Sequence, residues 1–240
     1  MVTIIALIGQ LIQGRVDGVL IDERNMISLS RLQIVLWSIV VLSSIVTFVG
    51  ARAQTPELDP LNIKIPETLW VLMSISTATL VGSPLIRSAT QTNKNPNLGE
   101  VLPNLRRSQL ESRSRTALPR NRTEISEEDE IKLTLIEEDR ETNGNVLKNT
   151  HAKNATWLDM FRGELVSNSS QVDMAKLQNF FFTVFLAMVY IGAILQYLSR
   201  NTIPDTLPEV SDSMVTLLGI SHAGYLMAKG LQTSPQENKT

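Results

Sequence analysis

The chain has 240 residues, of which 43% are hydrophobic and 19% charged, with a formal net charge of −2 and no cysteine. A cysteine-free chain has no disulfide framework and no thiolate metal site, and a net charge near zero gives no general attraction to nucleic acid. Most charged residues lie between residues 87 and 176, whereas the apolar residues form a few long runs.

The N-terminal stretch VTIIALIGQLIQG begins at Val2 and is followed by Arg15. It is too short to cross unaided a hydrocarbon core that takes about 20 helical residues. It has neither a basic leading region nor a small-residue cleavage site, which argues against a signal peptide. We predict a fifth membrane helix from about Val2 to Gln13, within an N-terminal segment of residues 1–26. An interfacial helix and the remainder of a longer helix are the alternatives.

Four stretches without formal charge follow, at residues 32–51, 68–86, 177–199 and 213–228. The first three have the length that a membrane-spanning helix needs, about 17–25 residues. The fourth is shorter and contains His222, and Lys229 at its end would have to extend along the helix to the interface. The chain lacks amphipathic segments that would cover such helices inside a large soluble protein. We therefore predict an all-α polytopic membrane protein.

The two halves of the chain carry similar short motifs in the same order. The dipeptide Leu-Gln at 32–33 recurs at 177–178, and a long apolar run follows each copy. The same offset of 145 residues aligns the segment 75–78 with the segment 220–223. Chance agreement of short apolar motifs is the alternative to an internal repeat.

These motifs predict two tandem transmembrane hairpins, the first at residues 27–87 and the second within residues 156–230, which begin with an interfacial segment. Each hairpin crosses the membrane twice, so both begin on the same side and form a parallel repeat. Small residues spaced by four in the second helix of each hairpin let backbones approach closely. We interpret these two helices as packing at the centre, at positions Ser74, Ala78, Gly82, Gly219 and Ala223.

Gln33 and Gln178 occupy matching positions where each half enters the membrane. They either hydrogen-bond across the pseudo-twofold axis or face water at the interface. His222 is an ionisable group within a span, which is rare and suggests function; a neutral imidazole bonded to a neighbouring helix is the structural alternative. The candidate polar path comprises Gln33, Ser76, Thr77, Gln178, Ser221 and His222.

The basic residues near the membrane predict the orientation. Nine lie near the starts and ends of the hairpins: Arg15, Arg24, Arg31, Arg87, Lys94, Arg162, Lys176, Lys229 and Lys239. Three lie at the hairpin tips: Arg52, Lys64 and Arg200. Because basic residues are retained on the cytoplasmic side, we predict that the central loop and the C-terminal tail, residues 231–240, are cytoplasmic.

The insertion at residues 88–155 is polar, with an arginine-rich block followed by an acidic block. Opposed charge blocks with few aromatic residues are typical of a solvated, disordered segment. The alternative is that basic residues bind anionic lipid headgroups. The amphipathic segment that follows, from Thr156, is suited to the headgroup region because it carries a tryptophan before a spanning helix. The candidate lipid contacts are Arg106, Arg107, Arg113, Arg115, Trp157 and Arg162.

Four stretches carry a resemblance to a known family: LIDERNMISLSRLQ, WLDMFRGE, VDMAKLQNFFFT and LLGISHAGYL. They resemble uncharacterised bacterial integral-membrane proteins with two tandem hairpins. The resemblance covers both hairpins but not the charged insertion. It implies a location in the bacterial inner membrane or an equivalent membrane, and it transfers no catalytic residue.

No catalytic or phosphate-binding motif is present, and the two histidines lie far apart in the sequence. We therefore expect no enzymatic activity, no cofactor and no metal. The sequence favours a membrane anchor, a scaffold or an accessory subunit, bound to the lipid bilayer as a homo-oligomer or within a larger membrane complex. A small oligomeric channel or transporter is the alternative. Polar helix faces that meet at one axis would favour a channel.

Overall fold

The computed structural model describes residues 1–91, 140–143, 146–165, 168–199 and 205–232. These residues form five α-helices: α1 (Val2–Gln13), α2 (Leu29–Ala53), α3 (Glu67–Gln91), α4 (Met174–Leu198) and α5 (Asp212–Gln232). Two short antiparallel strands, β1 (Arg140–Asn143) and β2 (Val146–Asn149), pair with Arg140 opposite Asn149. Three short 3₁₀ helices cover Gly18–Leu20, Ala152–Asn154 and Trp157–Phe161.

Local chemistry sets several of the helix ends. Helix α1 ends at Gly14, whose φ of 69° is left-handed, and the Gly14 amide donates to the carbonyl of Gln10. Asp173 caps α4 because its carboxylate accepts hydrogen bonds from the amides of Ala175 and Lys176, at 3.1 and 3.2 Å. Pro84 lies inside α3 and has no amide hydrogen to donate within the helix.

Three of the helices are long and apolar enough to cross a membrane: Leu29–Ala53, Glu67–Ser88 and Met174–Leu198. The prediction of a membrane protein is confirmed at that level. The fourth predicted span is a 21-residue helix, α5, but it does not reach the same apolarity. Helix α1 has the predicted bounds and is 12 residues long, which corresponds to about 18 Å at 1.5 Å per residue.

Helices α2 to α5 pack as one bundle. Helix α3 lies against α2 and α5, and α4 lies against α5 and α2. An apolar core that includes Trp37, Phe48, Leu72 and Leu218 fills the half of the bundle near the α2–α3 and α4–α5 connections. The two connections are joined there, because the amide of Lys64 donates to the carbonyl of Asp205 at 2.8 Å.

A layer of segments that connect the helices covers the opposite end of the bundle. The segment 14–28 folds back on itself through a bridge between Ile21 and Ile27. Strand β2 joins this layer, because the amide of Asn149 donates to the carbonyl of Arg24 at 2.9 Å. We call these segments, residues 14–28 and 146–172, the end layer; residues 166–167 within it lie outside the description.

The prediction that residues 88–155 are disordered is wrong for residues 146–155. Val146 and Leu147 are buried, at 1% and 4% exposure, and the Asn25 amide donates to the Asn149 carbonyl at 2.8 Å. Backbone pairing with 14–28 orders a stretch whose composition alone indicates a solvated chain. Residues 88–91 of the predicted insertion belong to α3 and residues 140–143 form β1, while residues 92–139 and 144–145 lie outside the described residues.

The predicted packing positions need a correction. Ser74, Ala78 and Ala223 are exposed on the outer faces of α3 and α5, so they do not pack helices together within this chain. The buried positions of α3 instead include Leu72, Ser76, Thr79 and Ser83. Spacing by four identifies a helical face, but it does not say which face turns inward.

Gly82 and Gly219 do lie at the contact between α3 and α5. A Cβ atom added at Gly82 would be 3.4 Å from the side chain of Leu226. A Cβ atom added at Gly219 would be 3.7 Å from the side chain of Ile75.

Candidate functional site: a buried ion-pair network

Six charged side chains converge where the bundle meets the end layer. They come from the segment 14–28, from the C-terminal ends of α3 and α5, from the start of α4, and from the stretch before α4. We call this set the Glu164 network: Asp22, Arg24, Arg87, Glu164, Lys176 and Lys229. Every member is 7% exposed or less.

Glu164 is the centre of the network. The ammonium Nζ of Lys229 lies 2.8 Å from both carboxylate oxygens of Glu164. The Nζ atom of Lys176 lies 3.1 Å from Oε1, and Nη2 of Arg24 lies 3.7 Å from the same oxygen. Arg87 approaches the other oxygen with Nε at 3.9 Å. One carboxylate therefore faces four cations that four separate segments supply.

Asp22 forms the second anionic centre. Its Oδ2 atom accepts hydrogen bonds from Arg24 at 2.9 Å and from Arg87 at 2.7 Å. The other amino group of Arg87 pairs at 2.8 Å with Glu23, whose side chain is 53% exposed. The two arginines thus link Asp22 to Glu164 in a continuous network.

These surroundings keep both buried carboxyl groups ionised. Burial alone would raise the pKa of Glu164, but Lys176, Arg24, Lys229 and Arg87 outweigh it and hold that pKa well below the usual 4.5. Burial likewise opposes ionisation of Asp22, and Arg24 and Arg87 hold its pKa below the usual 3.8. At neutral pH the two carboxylates therefore remain charged and are bonded to cations.

The polar neighbours of Lys229 lie within the bundle. Its Nζ atom donates to the hydroxyl of Ser83 and, at 3.4 Å, to the phenol oxygen of Tyr225. Ser83 and Tyr225 are themselves 3.3 Å apart. Lys229 is 7% exposed, so it turns inward. The expectation that it extends to the interface is wrong, because Glu164 provides a buried partner.

The network also fixes backbone atoms of the end layer. Lys176 donates to the carbonyl of Arg162 at 2.7 Å, and the carbonyl of Glu164 accepts the amide of Leu147 at 3.0 Å. Asp159 lies outside the network; its carboxylate accepts the amide and hydroxyl of Thr156 at 2.7 and 2.8 Å. Glu164, in the stretch before α4, therefore contacts Lys176 of α4, Lys229 of α5 and the strand β2.

The geometry of the Glu164 network favours a structural role over a catalytic one. Each carboxylate of the Glu164 network already contacts at least two cations, which leaves little basicity for accepting a proton from a substrate. Among the residues that the structure describes, no group of three or more His, Asp or Glu side chains is arranged to hold a metal ion.

The candidate polar path is partly assembled inside the bundle. Gln33 donates to the hydroxyl of Thr183 at 2.8 Å, and Ser221 donates to the side-chain carbonyl of Asn179 at 3.3 Å. His222 is buried, and its Nδ1 lies 2.9 Å from the carbonyl of Leu218, a partner in its own helix. Ser76 is also buried, with its hydroxyl on the carbonyl of Leu72 at 3.3 Å.

Two members of the predicted path are misplaced. Thr77 and Gln178 are exposed on the outside of the bundle. Gln33 therefore does not reach Gln178, and neither predicted role for the pair describes Gln33. Asn179, the neighbour of Gln178, faces the interior instead, because a helix turns by about 100° per residue.

The lipid-contact predictions divide into two groups. Arg106, Arg107, Arg113 and Arg115 lie outside the described residues. Trp157 is 52% exposed at the rim of the end layer, while Arg162 is half-buried.

Sequence reasoning missed the Glu164 network as a site. From the sequence, Arg24, Arg87 and Lys176 indicated only the orientation in the membrane, and Lys229 was in addition expected to extend to the interface. The available signal was the position of Asp22 and Glu164, because an acidic residue beside basic ones precedes the first span of each half.

In comparisons with protein-family models, curated proteins and solved structures, nothing matches the chain. The resemblance to bacterial membrane proteins therefore stays a prediction.

Proposed function

We propose that the protein is a non-enzymatic integral membrane anchor or scaffold that holds its end layer rigidly at one end of the bundle, as an accessory part of a larger membrane assembly. The Glu164 network carries this proposal. It joins the ends of three helices to two extramembrane segments through groups that are 7% exposed or less. Such a joint fixes the relative positions of five parts of the chain.

A linker that is exposed to water would not need buried ion pairs. Exposed ion pairs contribute about 0–1 kcal/mol, whereas removing one partner of a buried pair costs about 3–5 kcal/mol. The network is buried although its members Arg87, Lys176 and Lys229 lie at helix ends, where basic side chains can easily reach water. Rigid attachment of the end layer is the property that supports a scaffold.

The proposal includes the placement of the chain in the membrane. Helices α2 with α3 and α4 with α5 form two tandem hairpins related by a parallel repeat, with the end layer in the cytoplasm and the α2–α3 and α4–α5 connections outside. The basic residues counted along the sequence support this orientation. Copies of this chain, or other membrane proteins, then assemble on the outer faces of the bundle.

A photo-crosslinking amino acid at Leu158, which is 59% exposed in the end layer, tests the scaffold. In the native membrane we expect one discrete adduct, and we expect it to weaken when Glu164→Gln loosens the layer. The matched control places the same amino acid at Leu61, 82% exposed in the α2–α3 connection. Absence of any discrete adduct at Leu158 would contradict a scaffold that presents the end layer.

A channel or transporter is the second candidate, and one observation favours it. Within the spanning helices, Oε1 of Gln33, Nδ2 of Asn179 and Nε2 of His222 are buried without a hydrogen-bond partner. Buried polar atoms usually have partners, and a permeating species would supply them. The measurement is ion or solute flux across vesicles reconstituted with the protein. Flux above that of protein-free vesicles supports the channel, and flux equal to theirs supports the scaffold.

A further inference from the structure

A cleft of about 400 Å³ lies between α2, α3 and the segment 14–28, next to the Glu164 network. Its volume falls within the range of about 300–1,000 Å³ that small-ligand sites occupy. One part of its wall is charged and the rest is mostly apolar. The two parts are stacked along the helices, with the charged part at the helix ends and the apolar part toward the middle of the bundle.

The charged part carries one available cation. Arg31 lines the cleft and donates to the carbonyl of Ile21 at 2.6 Å, and within the described part of the chain no carboxylate pairs with it. Asp22 and Glu23 also line the cleft, but they are bonded to the arginines of the network. Arg87 lines the cleft as well and pairs with both carboxylates, so Arg31 is the lining cation whose charge is not used in an ion pair among the described residues.

The start of α2 adds hydrogen-bond donors at the same place. Ser28 lines the cleft and is the N-cap residue of α2, yet its side chain makes no capping hydrogen bond. The amides of a helical first turn lack partners inside the helix, and a helix N-terminus favours an anion. Arg31, the Ser28 hydroxyl and this helix end therefore offer a cation and neutral donors to one anionic group.

The apolar part of the wall continues toward the bilayer. Ile34 and Val35 of α2 and Leu80 and Pro84 of α3 line the cleft. These residues lie within the two segments long and apolar enough to cross a membrane. A ligand that fits both parts has an anionic head and a hydrocarbon tail.

We propose that this cleft binds one membrane phospholipid, with its phosphodiester group on Arg31 and Ser28 and the first part of an acyl chain along Ile34 and Leu80. The lipid fills the space between the bundle and the segment 14–28. The proposal depends on membrane placement and not on the scaffold role, so failure of the crosslinking experiment would leave it standing.

Native mass spectrometry of the full chain tests the proposal. The protein is purified in a maltoside detergent, and dioleoyl phosphatidylglycerol is added as the probe. We expect one tightly bound lipid, and about ten-fold weaker binding to Arg31→Gln, which loses the charge-assisted contact. Lys153→Gln removes one exposed cation of the end layer away from the cleft and should bind like the wild type. Equal binding by the two variants would overturn the proposal.

A second pair of variants tests the apolar wall and does not depend on Arg31. Leu80→Trp fills the cleft, whereas Val81→Trp adds the same bulk at a position that is 56% exposed on α3. We expect only Leu80→Trp to lose the bound lipid, and equal retention by both would overturn the placement. If Arg31→Gln does not fold, this pair decides the question. Displacement of the lipid by millimolar inorganic phosphate would show a free-anion site and would also overturn the proposal.

Discussion

The buried environment of Glu164 is one that an ionised carboxylate disfavours unless cations surround it. An isolated carboxylate is strongly destabilised by burial, yet this one is 7% exposed and faces Lys229, Lys176, Arg24 and Arg87. The cations are buried too: Lys176 and Lys229 pair with Glu164, and Arg24 and Arg87 contact both Asp22 and Glu164. Removing a carboxylate should therefore harm the fold more than removing any one cation.

Glu164→Gln keeps the size of the side chain and removes its charge. Because Lys229 and Lys176 would remain buried without their nearest anion, we expect the free energy of unfolding to fall by about 3–5 kcal/mol. The measurement is a denaturant titration of the purified protein in mixed micelles, followed by far-UV circular dichroism.

The matched control is Glu23→Gln, because Glu23 pairs with Arg87 but its side chain is 53% exposed. Its loss should change the unfolding free energy by about 1 kcal/mol or less. Similar losses for the two variants would mean that water screens both sites equally and that the network is not buried.

The depressed pKa of Glu164 predicts a pH dependence. The folded state binds the proton more weakly than the unfolded state, so the contribution of Glu164 is fully present above about the usual value of 4.5 and is lost as pH falls below it. Asp22 acts in the same direction from its usual 3.8. Melting temperatures between pH 3 and 7 measure the effect. The wild type should fall more steeply below pH 4.5 than Glu164→Gln, and parallel curves would refute the assignment.

At the scale of the helices, the two faces of α3 behave differently. Gly82 lies against Leu226 of α5, whereas Ala78 is on the exposed side one turn earlier. Gly82→Leu should overfill the contact and destabilise the bundle by about 1–3 kcal/mol. Ala78→Leu should have little effect, because lipid tails adapt to added bulk. The same detergent melting series compares both, and a large effect at Ala78 alone would mean that the outer face is packed against another chain.

The contacts of strand β2 indicate which part of the central insertion the fold needs. Replacing residues 95–138 by a short Gly-Ser linker keeps every described contact of β1 and β2, and loop length itself changes stability slowly. Extending the replacement to residue 150 also removes the Asn149 and Leu147 backbone bonds to Arg24 and Glu164. We expect the first variant to melt like the wild type and the second to melt earlier. Identical melting curves would show that β2 does not stabilise the end layer.

The positions of the helices along the chain were largely predictable from the sequence. The rotation of each helix about its own axis, which decides the face that turns inward, was not. The bounds of α1 matched because an apolar run before Gly14 defines a helix and its end locally. The inward face of α3 was misassigned because small-residue spacing is satisfied on any face, so that Ser76 rather than Ala78 turns inward. The ion pairs were missed because Glu164 and Lys229 are 65 residues apart, and only tertiary packing brings them together.

At the scale of the whole molecule, the interior of the bundle has two halves. Apolar residues such as Phe48, Leu72 and Leu218 fill the half near the interhelix connections. Polar residues, from Gln33 and Asn179 to Lys229, occupy the half near the end layer. The apolar half holds the four helices of the bundle together within one chain. The Glu164 network attaches the other half to the end layer. A rigid end layer is what this division supports.

The most direct test of that rigidity is the distance between the end layer and the end of α3. The chain has no cysteine, so nitroxide labels can be attached at Lys153→Cys and Ser88→Cys, two exposed positions. Pulsed electron–electron double resonance in lipid nanodiscs gives the distribution of distances between the two labels. We predict one narrow distribution for the otherwise wild-type chain and a markedly broader one when Glu164→Ala is added. An equally narrow distribution after Glu164→Ala would contradict the claim that the Glu164 network holds the end layer.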